Sequence, residues 1–239
     1  MTIDLRLGRW QDALSDVDGV DAVITDPPYL GACVDANGGA FRGAVTQNIA
    51  TKNREQVMGY KPASEELLAA LCVFAKRCKG WCVFFNDFDG AHFIRAELLR
   101  AGAVVAEPIA WVKPGALTPA RGGVILPQKG TEFIVCARFV RMKKWHTHLV
   151  GHYAGPAGAS AHHQVVTGGK PLGLMRAIVR DYSRPGDLVC DPCAGGGTTL
   201  LAAAAEGRRA VGAEMDPVTH AKATARIARG YTPLLFPGL

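Results

Sequence analysis

The sequence predicts an α/β domain, with a mostly parallel sheet covered by helices on both faces. Three observations carry this. Short β-prone apolar runs alternate with helix-periodic ones along the chain. A run of three glycines lies between one such strand and an alanine-rich helix. The chain is 239 residues long, 49% hydrophobic and 20% charged, which is enough to bury the core of one domain and too apolar for a disordered chain.

The elements follow in order. Ala22 to Thr25 is β-prone and ends at Asp26-Pro27, where proline biases its predecessor away from helix. Ser64, Glu65 and Glu66 open an apolar-periodic helix to about Lys79, with a capping hydroxyl and acids in its first turn. Trp81 to Phe85 reads as a buried strand, and Asp89 to Ala101 as a helix closed by Gly102. Val104 to Val112 and Thr131 to Ala137 are two strands joined by a Gly/Pro-rich loop. A helix over Leu172–Tyr182 starts after Pro171, followed by a strand at Leu188–Cys190, a helix at Thr198–Glu206 and a strand at Ala210–Glu214. Pro217 to Ala228 is a last helix with proline in its first turn. No repeat or second domain is visible, so residues 1–239 read as one domain. Residues 30–61 and 139–169 show no clear periodicity; loops of this length in a compact domain are usually functional, so both are candidate substrate-contact elements.

Composition excludes several classes. No stretch of 18 or more residues is free of charges and polar breaks, so no membrane span is expected. The N-terminus carries Asp4 and Arg6 and no apolar core, unlike a secretory signal, and a cytoplasmic protein is expected. The seven cysteines are odd in number and form no Cys-x-x-Cys pair; Cys72, Cys82, Cys136 and Cys190 sit in apolar runs and read as structural thiols. The formal charge is +6, and the segment from Val112 to His152 carries Lys113, Arg121, Lys129, Arg138, Arg141, Lys143 and Lys144 against Glu132 alone. Such a segment favours a polyanion through phosphate contacts, the alternative being a solvated face. His146, His148, His152, His162 and His163 lack the spacing of known zinc modules, and no metal is expected there. Trp145, flanked by basic residues, is equally readable as a base-stacking or a core side chain.

Two motifs carry chemistry. Asp26-Pro27-Pro28-Tyr29 follows a predicted strand, at the carboxyl end where open α/β sheets place ligands. Two prolines stiffen the backbone and remove two donors, leaving fixed carbonyl acceptors beside a carboxylate and an aromatic ring. This arrangement can grip a planar ring bearing an exocyclic amino group. The amino lone pair is delocalised into the ring and is a poor nucleophile. If Asp26 and the Pro27 carbonyl accept its two N–H bonds, the lone pair becomes localised for attack on an electrophilic methyl. Tyr29 would stack on the base. An ordinary Asp-Pro turn is the alternative.

The second motif is Asp191-Pro192-Cys193-Ala194-Gly195-Gly196-Gly197-Thr198-Thr199, leading directly into a helix, with Glu214 ending the next strand 23 residues after Asp191. Glycines between strand and helix admit a ligand close to the backbone, and the helix start offers free N–H groups. The acid at Glu214 has the spacing of one that holds a ribose diol. A dinucleotide fold wants G-x-G-x-x-G, and a phosphate loop wants a lysine after its glycines; neither is present. A nucleoside-sulfonium site fits best, and a purely structural glycine turn stays open.

Together the motifs resemble those of the amino-directed DNA methyltransferases of the β group, the adenine-N6 and cytosine-N4 enzymes. The catalytic tetrapeptide comes first and the glycine motif last, 165 residues apart at their aspartates, the group's circularly permuted order. The resemblance implies a Rossmann-like fold, S-adenosylmethionine as cofactor and double-stranded DNA as partner with the target base flipped out. It implies that Asp26, Pro27, Pro28 and Tyr29 hold the target base, and that Asp191, Cys193, Ala194, Gly195 and Gly197 line the cofactor, with Thr198 and Thr199 near its carboxylate end. By the same resemblance Glu214 binds the ribose hydroxyls, and Lys170, in the Lys-Pro segment before the glycine motif, borders the methionine moiety. Adenine N6 is favoured by the aspartate heading the tetrapeptide; cytosine N4 stays open, as does an RNA or protein-glutamine acceptor. A DNA-binding module with a vestigial site is the non-enzymatic alternative. The chain departs from the family at Arg9, where an Asp is usual (Asp12 lies nearby), and at Cys193, where Phe is common. The family's recognition region is short, spanning only Phe139 to Gly169, so site recognition falls partly to residues 30–61 or to a second subunit in a homodimer. A restriction-modification setting in a bacterial or phage-infected cell is the family's habit.

Overall fold

The computed structural model describes residues 2–30, 63–114, 130–140, 149–155 and 168–230. Among the described residues nine strands form one sheet: β1 (Ile3–Leu7), β2 (Ala22–Thr25), β3 (Trp81–Asn86), β4 (Val104–Val105), β5 (Ile109–Val112), β6 (Thr131–Arg138), β7 (His152–Ala154), β8 (Leu188–Asp191) and β9 (Arg209–Glu214). Their order is β1-β9-β8-β2-β3-β6-β5-β7, with β4 also paired to β6. The five strands from β1 to β3 are mutually parallel, β6 runs antiparallel to β3 and to β5, and β7 is parallel to β5. The helices are α1 (Trp10–Ala13), α2 (Glu65–Phe74), α3 (Phe88–Arg100), α4 (Leu172–Tyr182), α5 (Thr198–Ala205) and α6 (Pro217–Arg229).

Strand alternation divides the core between the two faces. Val23, Phe84, Val135 and Ala137 point to one side and pack with Leu68 and Leu71 of α2 and Ile94 and Leu98 of α3. Ile24, Phe85, Ile134 and Cys136 point to the other, against Met175 and Ile178 of α4 and Leu200 of α5. This is the expected mostly parallel sheet with helices on both faces, in one domain.

Capping sets the helix starts. The Ser64 Oγ accepts from the Leu67 amide at 3.2 Å, as the sequence predicts, and Asp216 Oδ2 accepts from the Thr219 amide at 2.7 Å ahead of Pro217. Two expectations shift. The third helix starts at Phe88, because Asp87 caps it by accepting from the Gly90 amide at 3.0 Å. The single strand expected over Val104–Val112 is two strands, divided at Pro108, which lacks the N–H that a continuous ladder needs. The sequence reading contains neither the edge strand β1, although Ile3, Leu5 and Leu7 alternate with Asp4 and Arg6 there, nor the three-residue β7.

No helix among the described residues is long and apolar enough to cross a membrane. Residues 31–61 of the first proposed contact loop, and 141–148 and 156–167 of the second, lie outside the described residues, as do Trp145, His146, His148, His162 and His163.

Candidate active site

The chain leaves β2 toward β3 on one side and leaves β8 toward β9 on the other. β2 and β8 are therefore the neighbours between which strand order reverses, paired in parallel with Val23 opposite Cys190. A crevice opens at the carboxyl ends of such a pair. Asp191 ends β8 and Asp26 follows β2 by one residue, so the two sequence motifs meet there. Thr25 Oγ1 donates to Asp191 Oδ1 at 2.7 Å, tying together residues 166 positions apart.

On the glycine side, Asp191 is 1% exposed and accepts from the Cys193 amide at 3.0 Å. Burial pushes its pKa up to about 6, against the opposing effect of hydrogen bonds from Thr199, Thr25 and the Cys193 amide. Gly195 and Gly197 have φ of +49° and +74°, a left-handed backbone that favours glycine. A Cβ on Gly212 of β9 would stand 2.8 Å from the Asp191 carbonyl oxygen, so the strand beside the turn needs glycine too. Glu214 ends β9, half-buried, with one carboxylate oxygen accepting from the Asp216 amide at 2.7 Å. Burial raises its pKa, while the Asp216 and Gly195 amides favour its charged form. The half-buried Cys193 thiol is kept neutral by desolvation and by the carboxylates of Asp191, Glu214 and Asp26 around it.

The two threonines diverge. Thr199 turns to Asp191, whereas the Thr198 hydroxyl accepts from Arg226 Nη1 at 2.8 Å, and the same nitrogen donates to the Gly196 carbonyl at 2.8 Å. Arg226 thus clamps the glycine turn from α6. The sequence reading missed it, and its signal was modest: it lies on the helix face of Ala223 and Ile227, the residues that pack on Gly197.

On the tetrapeptide side, Lys170 forms an ion pair with Asp26 Oδ2 and approaches Glu132 Oε2 at 3.3 Å. Its ammonium lies 5.2 Å from the Tyr29 ring centroid and 5.3 Å from that of Phe85. The Tyr29 hydroxyl donates to Glu132 Oε2, and Lys113 pairs with Glu132 Oε1. Asp26 Oδ1 is buried and has no hydrogen-bond partner among the described residues. Desolvation raises the Asp26 pKa, with Lys170 opposing and Glu132 adding to the rise.

Lys170, expected on the cofactor side, therefore lies against the Asp26 carboxylate. The reason is alternation along β6: Glu132 shares a face with Ile134 and Cys136, which pack under α4, and Lys170 stands just ahead of that helix. Two residues of the basic segment are half-buried. Lys113 is 14% exposed and lies 4.6 Å from the Trp111 ring centroid, and the Arg138 guanidinium stacks 5.3 Å from that of Trp81. Arg121, Lys129, Arg141, Lys143 and Lys144 lie outside the described residues. Arg9 caps α1 without a side-chain bond, and Asp12 is exposed on that helix.

The donor set fits a cationic nucleoside. A buried carboxylate faces a glycine-lined turn, a second acid ends the adjacent strand where a diol can be held, and a third carboxylate stands across the crevice.

The comparisons agree with this chemistry. Residues 139–225, which carry Lys170, the glycine turn and Glu214, match the N6/N4 methyltransferase family model, described as DNA methylase. The Escherichia coli (strain K12) protein YubD, provisionally named a methylase, is 25% identical over 224 residues, covering 88% of this chain and 83% of its own. Among solved structures, M1.HpyAVI in complex with S-adenosylmethionine superposes with a TM-score of 0.68 at 22% identity, over 95% of this chain and 99% of that one. The Thermus thermophilus protein TTHA0409, provisionally named a DNA modification methylase and also complexed with S-adenosylmethionine, gives 0.66 at 23% identity, over 95% and 94%. The cytosine-N4-specific PvuII DNA methyltransferase gives 0.68 at 18% identity, over 95% and 86%. The family match thus covers the C-terminal portion, residues 139–225, and the chain shares its fold with these methyltransferases along nearly its whole length.

Proposed function

We propose that the chain methylates the exocyclic N6 of adenine in double-stranded DNA, with the target base flipped into the crevice between β2 and β8. The observation that carries this reading is the meeting of Asp26 and the Asp191 glycine turn at adjacent strand ends, tied by the Thr25–Asp191 hydrogen bond of 2.7 Å. Adenine is favoured over cytosine by the aspartate at the head of the tetrapeptide.

Asp191, Cys193, Ala194, Gly195, Gly197 and Thr199 line the cofactor, and Glu214 holds its ribose hydroxyls. S-adenosylmethionine supplies an electrophilic methyl on a sulfonium that departs as a neutral thioether. Asp26 Oδ1, buried and unpartnered among the described residues, and the Pro27 carbonyl accept the two amino hydrogens, localising the lone pair for in-line attack. Asp26 then takes the proton that the methylated nitrogen sheds. The raised Asp26 pKa favours that transfer. Tyr29, its hydroxyl anchored on Glu132, presents its ring to the base, and Pro28 keeps the segment rigid.

The test is acceptor profiling with tritiated S-adenosylmethionine on DNA, RNA and protein pools, with digestion of the labelled product. Label in N6-methyladenine from DNA is expected. Label in N4-methylcytosine would reassign the base, and label only in RNA or protein would reject the DNA substrate.

A further inference from the structure

Glu132 sits in the middle of the site, yet neither the sequence motifs nor the donor set for the cofactor includes it. Its Oε2 takes the Tyr29 hydroxyl and lies 3.3 Å from Lys170, and its Oε1 takes Lys113. Lys170 is therefore shared by two carboxylates. Asp26 and Glu132 carry two negative charges, Lys170 and Lys113 two positive ones, and the cluster is neutral. The charge on Glu132 must be held by these partners, because an unpaired buried carboxylate is too costly to remain ionised.

We propose that Glu132 is a positioning residue for methyl transfer: it fixes the Tyr29 ring through its hydroxyl and draws Lys170 partly off Asp26, leaving Asp26 a stronger acceptor for the substrate amino group. The proposal rests on the tetrapeptide being the base-binding site. Five groups bear on Asp26: Lys170 ahead of α4, Glu132 on β6, Tyr29 on its own loop, Asp191 on β8 and the Cys193 thiol on the glycine turn. Glu132 faces Lys113 at the end of β5, Lys170, Tyr29 and Asp26. Lys170 favours the charged Asp26 and Glu132 opposes it, so loss of the Glu132 charge makes Asp26 more acidic.

Two variants test this: Glu132→Gln, and the charge-balanced pair Lys113→Met with Glu132→Gln. Both are read by carboxyl ¹³C NMR titration of Asp26 in the cofactor-free protein, assigned by its loss in Asp26→Asn. In both, the Asp26 titration is expected to move about one pH unit lower. The acid limb of kcat for DNA methylation should move with it, kcat at neutral pH should fall about tenfold, and the KM for S-adenosylmethionine should hold. An Asp26 titration that stays in place or moves higher in a folded variant would overturn the proposal. So would failure of the charge-balanced pair to fold, since Glu132 would then be a structural residue. Wild-type protein inactive on DNA would instead overturn the functional reading, while the titration still tests the role of Glu132.

Discussion

The two aspartates do opposite things, Asp191 fully buried and Asp26 half-buried. Asp26 holds one oxygen on Lys170 and keeps the other without a partner among the described residues. Replacing it with alanine should leave cofactor binding by calorimetry within a fewfold of wild type, while methyl transfer drops by three or more orders of magnitude, on the order of 4 kcal/mol of transition-state stabilisation. Loss of both activities together would show Asp26 to be structural. Asp191 is buried at the cost of stability. Its pKa of about 6 lies above the ordinary 3.8, so the folded state keeps its proton to higher pH than the unfolded chain does. The Asp191 contribution to stability is thus most favourable below about pH 4, and is lost as the pH rises through about 6, by an amount on the order of 3 kcal/mol. In cofactor-free Asp191→Asn that loss is gone, so the Tm advantage of the variant over wild type should grow between pH 4 and pH 8, while its affinity for S-adenosylmethionine falls. A Tm difference flat with pH would contradict the assignment. These residues were legible in sequence because each heads a dense local motif. Glu132, Lys113 and Arg226 were not. They reach the site from distant elements, and before the sheet order is known a charged residue near an apolar run is indistinguishable from an exposed one.

The elements show the same division. Helix caps, the strand after each turn and the glycine turn rest on interactions within a few residues, and Ser64, Asp26-Pro27 and Gly197 announce them. The antiparallel placing of β6 between β3 and β5, and the split of the strand at Pro108, depend on long-range pairing that periodicity does not encode. The glycine turn is built for its backbone: Gly197 sits at φ +74°, and a Cβ there would come within 3.2 Å of Ile227 Cδ1. Gly197→Ala should cost about 1–2 kcal/mol by chemical denaturation and weaken cofactor binding as the start of α5 moves. Arg226→Gln, which loosens the turn without altering its φ angles, should raise the cofactor Kd more than it lowers Tm. Equal effects on both would make Arg226 a packing residue only.

For the whole molecule, the parallel half of the sheet brings the two ends of the sequence together. The strand that precedes the tetrapeptide and the strand that precedes the glycine turn become neighbours, so the two distant motifs border one crevice. Net charge would add attraction for the proposed DNA substrate, but not every basic residue is free to serve it. Lys113 is taken up by Glu132, so Lys113→Met should leave the slope of log affinity against log salt for duplex DNA unchanged. A slope shallower by about 0.9 would mean that Lys113 contacts phosphate. The central claim is that these two strand ends form one site for methylating a base amine. Nucleoside mass spectrometry of DNA from cells expressing the wild-type chain or Asp26→Ala tests it most directly. N6-methyladenine should accumulate with the wild type and be absent with the variant; no methylated base with either, or the same amount with both, would contradict it.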